Sequence, residues 1–167
     1  MNFFKSKHNY IELYNKIISI TREKFFYTEI NLDDTSITRL YLTFIHLGFI
    51  LKLLKKENFD KKQTQVIYDI FFKNIELDLR QMGHGDVSVN KKMKDIVKLF
   101  NEILIHCETW NNTDTNSKSK YLAKLFINKE KNNINLDKLL IYIDNFISNI
   151  EYMSLNLLLK GIINTKK

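Results

Sequence analysis

Leu79-Arg80-Gln81-Met82-Gly83-His84-Gly85-Asp86-Val87-Ser88-Val89 is the stretch on which the fold turns. Before it, Val66, Ile67, Ile70, Phe71, Ile75 and Leu79 recur at helical spacing. After it, Val89, Met93, Ile96, Leu99, Phe100, Ile103 and Leu104 do the same. The spacing predicts a helix from Asp60 to Met82 and a second one, capped by Asp86 or Ser88, to about Trp110. Gly83 stands where a helix C-terminus takes a left-handed residue. Gly83-His84-Gly85 follows a helix and not a strand, which argues against a dinucleotide-binding loop.

The same periodicity runs outward. Ile11, Tyr14, Ile17, Ile18 and Phe25 suggest a first helix from about Asn9 to Lys24. Asp34, Thr35 and Ser36 offer caps for a second, through Leu40, Phe44, Leu47, Leu51 and Leu54 to Lys55 and Lys56. Gly48 inside it costs about 1 kcal/mol relative to Ala, so a neighbour is expected to pack closely there. Beyond Trp110 comes a polar loop, 111–116, then a shorter helix capped by Ser117 and bearing Tyr121, Leu122, Leu125 and Phe126. A polar connector, Asn128 to Asn135, leads to a helix with Leu136, Leu139, Leu140, Ile143, Phe146, Ile147 and Ile150. A last short helix, Ser154 to Lys160, ends at Gly161. No run reads as a strand. The fold class is all-α, a compact bundle of about six to seven helices in one domain spanning 1–167.

Composition narrows the function. A single cysteine, Cys107, excludes an internal disulfide and a thiolate-rich zinc site, and suits a reducing compartment. Its expected role is that of an apolar filler. The four histidines, His8, His46, His84 and His106, have no metal-ligand spacing. His46 lies in the apolar run 40–54 and reads as a hydrogen-bonded core residue. That run is too short and too interrupted for a membrane span. No secretory signal or Arg-rich presequence opens the chain. Nothing calls for a cofactor or metal, and no catalytic constellation emerges. An enzyme centred on His46 or His84 is the outlying alternative.

The net charge is +7 and evenly spread: residues 1–85 carry 13 basic and 10 acidic groups, residues 86–167 carry 13 and 9. A nucleic-acid binder usually concentrates its charge on one face or arm, so no DNA partner is expected, and the even excess allows only weak attraction to RNA or to anionic lipid. Lys91, Lys92 and Lys94 stand out because they lie in the first turns of a helix, where the dipole disfavours cations by a few tenths of a kcal/mol each. Lys91, Lys94 and Lys98 share one face. They read either as a solvated face or as a basic lip beside the Gly turn, suited to an acidic or anionic partner. Only three residues of the chain are Arg, so Arg80 next to the turn looks selected for its forked donor. Arg80 and Asp86 bracket the turn. They serve to lock it, to present it to a partner, or both.

At this segment the sequence resembles the ubiquinol–cytochrome c chaperone family. That family's hallmark is a helix ending in Leu-Arg-(Glu)-Met-Gly, then x-Gly-Asp, a short hydrophobic stretch and a basic helix start. Here it runs from Leu79 to Lys94. Upstream, Phe26-Tyr27, then Asp34-Thr35 and Arg39, then Phe44-Ile45-His46-Leu47, fit the family pattern. Gln81 stands where the family often has an acid, and Tyr41 where it tends to have Glu. The resemblance covers about residues 10–160. It implies a non-catalytic assembly factor for respiratory complex III that binds newly made cytochrome b. With no presequence read at the start, the expected place of action is the bacterial cytoplasm or the inner face of the inner membrane. Contact with the ribosome or a small partner chaperone is part of the same expectation. The candidate partner-binding residues are Arg39, His46, Arg80, Met82, Gly83, Gly85, Asp86, Val87, Lys91, Lys92, Lys94 and Lys98. A ribosome- or RNA-binding module using the basic helix start, residues 91–98, is the alternative function.

Overall fold

The computed structural model describes the backbone of residues 3–127 and 133–163 and the side chains from Tyr10 onward. The His8 side chain and the 128–132 part of the polar connector lie outside the described residues. Helices α1 (Phe3–Thr21), α2 (Lys24–Thr28), α3 (Ser36–Lys56), α4 (Lys61–Gln81) and α5 (Asp86–Thr109) come first. Helices α6 (Thr115–Phe126), α7 (Leu136–Glu151) and α8 (Leu155–Leu159) follow, and the described residues contain no strand. The all-α bundle expected from periodicity is therefore what the chain forms.

α3 is the central helix. Thr35 caps it by accepting a bond from the Thr38 N–H, and Leu42 through Ile50 form an unbroken buried run. By length and composition α3 could cross a membrane, yet most of it is covered by its neighbours. α1, α5 and α7 pack around it. Gly48 marks the closest approach: a Cβ there would lie 2.7 Å from the Cys107 Sγ on α5. That contact explains the glycine, since overpacking a core costs about 1–3 kcal/mol. Cys107 is buried, and burial pushes its thiol up to about 12, which suits a filler and not a nucleophile.

Several boundaries differ from expectation. The first helix stops at Thr21, and the single-turn α2 follows it. The buried stripe of α1 is Tyr10, Leu13, Ile17 and Ile20, with Ile11 and Tyr14 on its flank. Neither Asp86 nor Ser88 caps α5; Gly85 holds the cap position and supplies no side-chain bond. Asp114, not Ser117, caps α6, accepting from the Ser117 N–H at 3.0 Å. The 111–116 loop shrinks because Trp110–Asn112 forms a 3₁₀ turn. That turn is pinned from α7, where Asp144 accepts from the Trp110 Nε1–H at 2.8 Å.

Candidate functional site

α4 ends in a regular way. The Gly83 N–H donates to Arg80 O at 3.0 Å and the His84 N–H to Leu79 O at 3.3 Å. This paired closure requires a left-handed residue at the turn, and Gly83 has φ +85°. A Cβ on Gly83 would meet nothing within 4 Å, so conformation and not space selects the glycine there. Gly85 is extended at φ −70° and also open, so it has no such requirement.

Arg80 clamps the turn. Its Nε and Nη2 donate to the Glu76 carboxylate one helical turn back, at 3.2 and 2.9 Å, while its Nη1 donates to Asp86. These bonds, to Asp86 first and Glu76 second, raise the guanidinium above its ordinary value. Asp86 also places negative charge in the first turn of α5, where the dipole favours it. The clamped turn leaves two apolar side chains bare, Met82 at 63% and Val87 at 86% exposure. Val87 heads an outward stripe of α5 that continues through Lys91, Lys94 and Lys98, all exposed. Lys92 is also exposed, on the flank of that stripe.

Behind the turn opens a groove of about 630 Å³. Ile18 of α1, Leu40 of α3, Ile75 and Leu79 of α4, Met82 at the end of α4 and Ile96 of α5 give it an apolar lining. Arg22, Arg39 and Asp78 supply charged groups to the same lining. Arg39 is bound twice to Asp34, through Nε at 2.9 Å and Nη2 at 2.6 Å. The groove thus joins Arg39 and Met82 from the expected set. Arg80 adjoins them between the groove residues Leu79 and Gln81.

His46 does not share this surface. It is 1% exposed, deep between α3 and α7. Its Nδ1 faces the Leu42 carbonyl at 2.6 Å, and a carbonyl only accepts, so Nδ1 carries the proton. Nε2 then accepts from the Tyr142 hydroxyl at 2.7 Å. The rings of Phe26 and Phe146 meet the imidazole edge-on. Burial lowers its pKa to about 4, so the ring is neutral near pH 7. Its side chain belongs to the core network, as the apolar run suggested, and not to the exposed partner-facing set.

Arg22 is the groove residue that sequence reading passed over. The signal was available: scarcity of Arg singled out Arg80, and the same scarcity applies to Arg22. Tyr41, where the family tends to have Glu, packs its ring edge-on against Phe126 at 5.8 Å. Among the described residues, no group of three His, Cys, Asp or Glu side chains is placed to hold a metal.

Comparison with known proteins bears on this geometry. The family model for ubiquinol–cytochrome c chaperones matches residues 28–164, a span that holds the turn, the basic helix start and most of the groove. The structure is similar to that of the Cbp3 homolog from Brucella abortus, with a TM-score of 0.79 at 24% identity. That match covers 98% of this chain and 93% of the other. No curated protein matches the chain. The structural likeness speaks to the fold, and the family match, running over most of the chain, speaks to descent: the chain belongs to the ubiquinol–cytochrome c chaperone family.

Proposed function

We propose that the chain is a non-catalytic chaperone in the assembly of the ubiquinol–cytochrome c reductase, respiratory complex III. In this reading it binds newly made cytochrome b. It works in the bacterial cytoplasm or peripherally at the inner face of the inner membrane. The observation that carries the reading is the family match running through the α4–α5 junction. There the Arg80 clamp stiffens a turn that leaves Met82 and Val87 bare beside a basic face. Apolar side chains held exposed on a rigid support suit transient contact with another chain.

Affinity purification of the tagged protein after crosslinking in cells tests it. Cytochrome b in the eluate, and loss of complex III on deletion of the gene, are expected. An eluate without cytochrome b, together with intact complex III in the deletion strain, sinks the reading. Arg80→Lys sharpens it. Lys cannot span Glu76 and Asp86 at once, so the fold should persist while recovery of the client falls.

The exposed stripe of Lys91, Lys94 and Lys98 favours one further reading, contact with the ribosome or another RNA. Binding would then weaken by about one log unit in K per log unit of salt for each phosphate the protein neutralises. Sedimentation with ribosomes that ignores salt, or fails altogether, removes it.

A further inference from the structure

The chain holds 26 Lys and Arg residues, only three of them Arg, and all three lie at one end of the bundle. Arg22 and Arg39 line the groove behind the turn, and Arg80 adjoins it on α4. Where Lys supplies almost every positive charge, an Arg marks a place that needs a planar two-pronged donor. Two of the three meet their carboxylates inside the molecule, Arg39 on Asp34 and Arg80 on Glu76 and Asp86. Arg22, exposed just past the end of α1, is different. Among the described residues, no carboxylate lies within ion-pair distance of it. It lines the groove together with Tyr14, whose hydroxyl is acted on by the Asp78 charge and then by that of Arg22.

We propose that this groove receives an apolar peptide segment carrying a carboxylate, the apolar side chains settling on Ile18, Leu40, Ile75 and Met82 and the carboxylate forking onto Arg22. Asp78, which also lines the groove, repels a carboxylate near it, so the segment's carboxylate is directed to Arg22. It also opposes an anionic lipid headgroup seated in the groove. The proposal deepens the chaperone reading and rests on it for the existence of a client or partner chain.

The test uses the full chain, labelled with ¹⁵N, and three synthetic 12-residue peptides of Leu and Ala that differ only in bearing two Glu, two Gln or two Lys. The Glu peptide is expected to shift the amides of Arg22, Leu40, Leu79 and Met82. Replacing Glu by Gln, or Arg22→Glu in the protein, should weaken binding about tenfold or more, the worth of one charge-assisted bidentate contact. Arg22→Glu should in turn gain the Lys peptide, which a merely structural role would not produce. Equal affinity for the Glu and Gln peptides overturns the proposal. So do shifts confined to the groove near Phe59 and Tyr68, no binding at millimolar peptide, or Arg22-dependent capture by phosphatidylglycerol vesicles in place of the peptide. In the native host, complex III left intact by deleting the gene would defeat the chaperone reading. Complex III lost on deletion but fully restored by Arg22→Glu would defeat the groove alone.

Discussion

α3 and α4 end in the same way and with opposite contents. Each closes with the paired bonds of a left-handed turn, Asn58 N–H to Lys55 O and Phe59 N–H to Leu54 O in one, Gly83 N–H to Arg80 O and His84 N–H to Leu79 O in the other. At the α3–α4 turn the left-handed residue is Asn58, φ 51°, and Phe59 after it packs against the core. Asp60 then caps α4, accepting from the Gln63 N–H at 2.8 Å. The groove beside that turn, about 610 Å³, has Lys55 matched to Glu108 at 2.7 Å. At the α4–α5 turn several choices differ. A polar His84 follows the glycine, the next helix lacks a side-chain cap, and Met82 and Val87 are bare. The same backbone closure thus carries a side-chain cap and a covered aromatic at one end, and at the other a bare cap and two exposed apolar side chains beside the Arg80 clamp.

The largest effect should erase the contrast, because it strikes the core that supports both ends. His46 has its pKa depressed in the folded chain, so the stability it contributes is complete above the unfolded value near 6.5. That contribution is lost as pH falls toward about 4. The loss is worth roughly 3 kcal/mol over that window, since each tenfold difference in proton affinity between the folded and unfolded chain is worth about 1.4 kcal/mol. Urea unfolding of the wild type between pH 7 and pH 4 should therefore fall by roughly that much more than in His46→Gln, with amides at both turns losing protection together. A pH slope that survives in His46→Gln would mean other groups govern acid stability.

A smaller effect separates the turns. Gly83→Val should cost about 1–2 kcal/mol through the left-handed conformation alone, since the site has room for the side chain. Gly83→Asn, which copies Asn58, should recover most of it. If Gly83→Val unfolds at the wild-type urea concentration, the turn is free to rearrange and the rigid-support argument fails.

Much of this was legible in the sequence, and the reasons are particular. Long amphipathic periods gave α4, α5 and α7 because a buried stripe at 3.6-residue spacing has one reading, and α3 was legible as an apolar run between caps and two lysines. Gly83 was legible because a closing helix needs positive φ, and Gly48 because a mid-helix glycine needs a neighbour. Caps were less so: Asp86, Ser88 and Ser117 carry the right side-chain chemistry, but a small extension of the helix moved the cap to Gly85 or Asp114. α2 was invisible because five residues carry no period. The groove was not legible at all. Its residues come from α1, α3, α4 and α5, and only packing brings Arg22 next to Arg39 and Met82. Tyr142 as the partner of His46 is a contact across 96 positions, beyond any local pattern.

The cap positions give the next step down. Asp60→Ala should destabilise by about 1 kcal/mol, the usual worth of an N-cap, and fray the first turn of α4. Hydrogen exchange at Gln63 reads it directly, since its N–H loses the Asp60 partner. Unchanged exchange there would remove the claim that the α3–α4 end is built for stability.

The smallest effect is the sharpest test of what the α4–α5 end is for. Gly85 occupies a cap position without strain, at φ −70° and with open space around it, so Ser fits there and can bond back to the helix. The gain from Gly85→Ser is only a few tenths of a kcal/mol, because Gly is already a tolerable cap. A stabilising cap is thus left unmade at Gly85 while Asp60 makes its counterpart, which an α5 start in contact with a partner would account for. Gly85→Ser should therefore unfold at slightly higher urea than the wild type and recover less client from cells. If recovery is unchanged while stability rises, the bare cap carries no function, and the contrast between the turns reduces to Gly83, Arg80 and the apolar pair they expose.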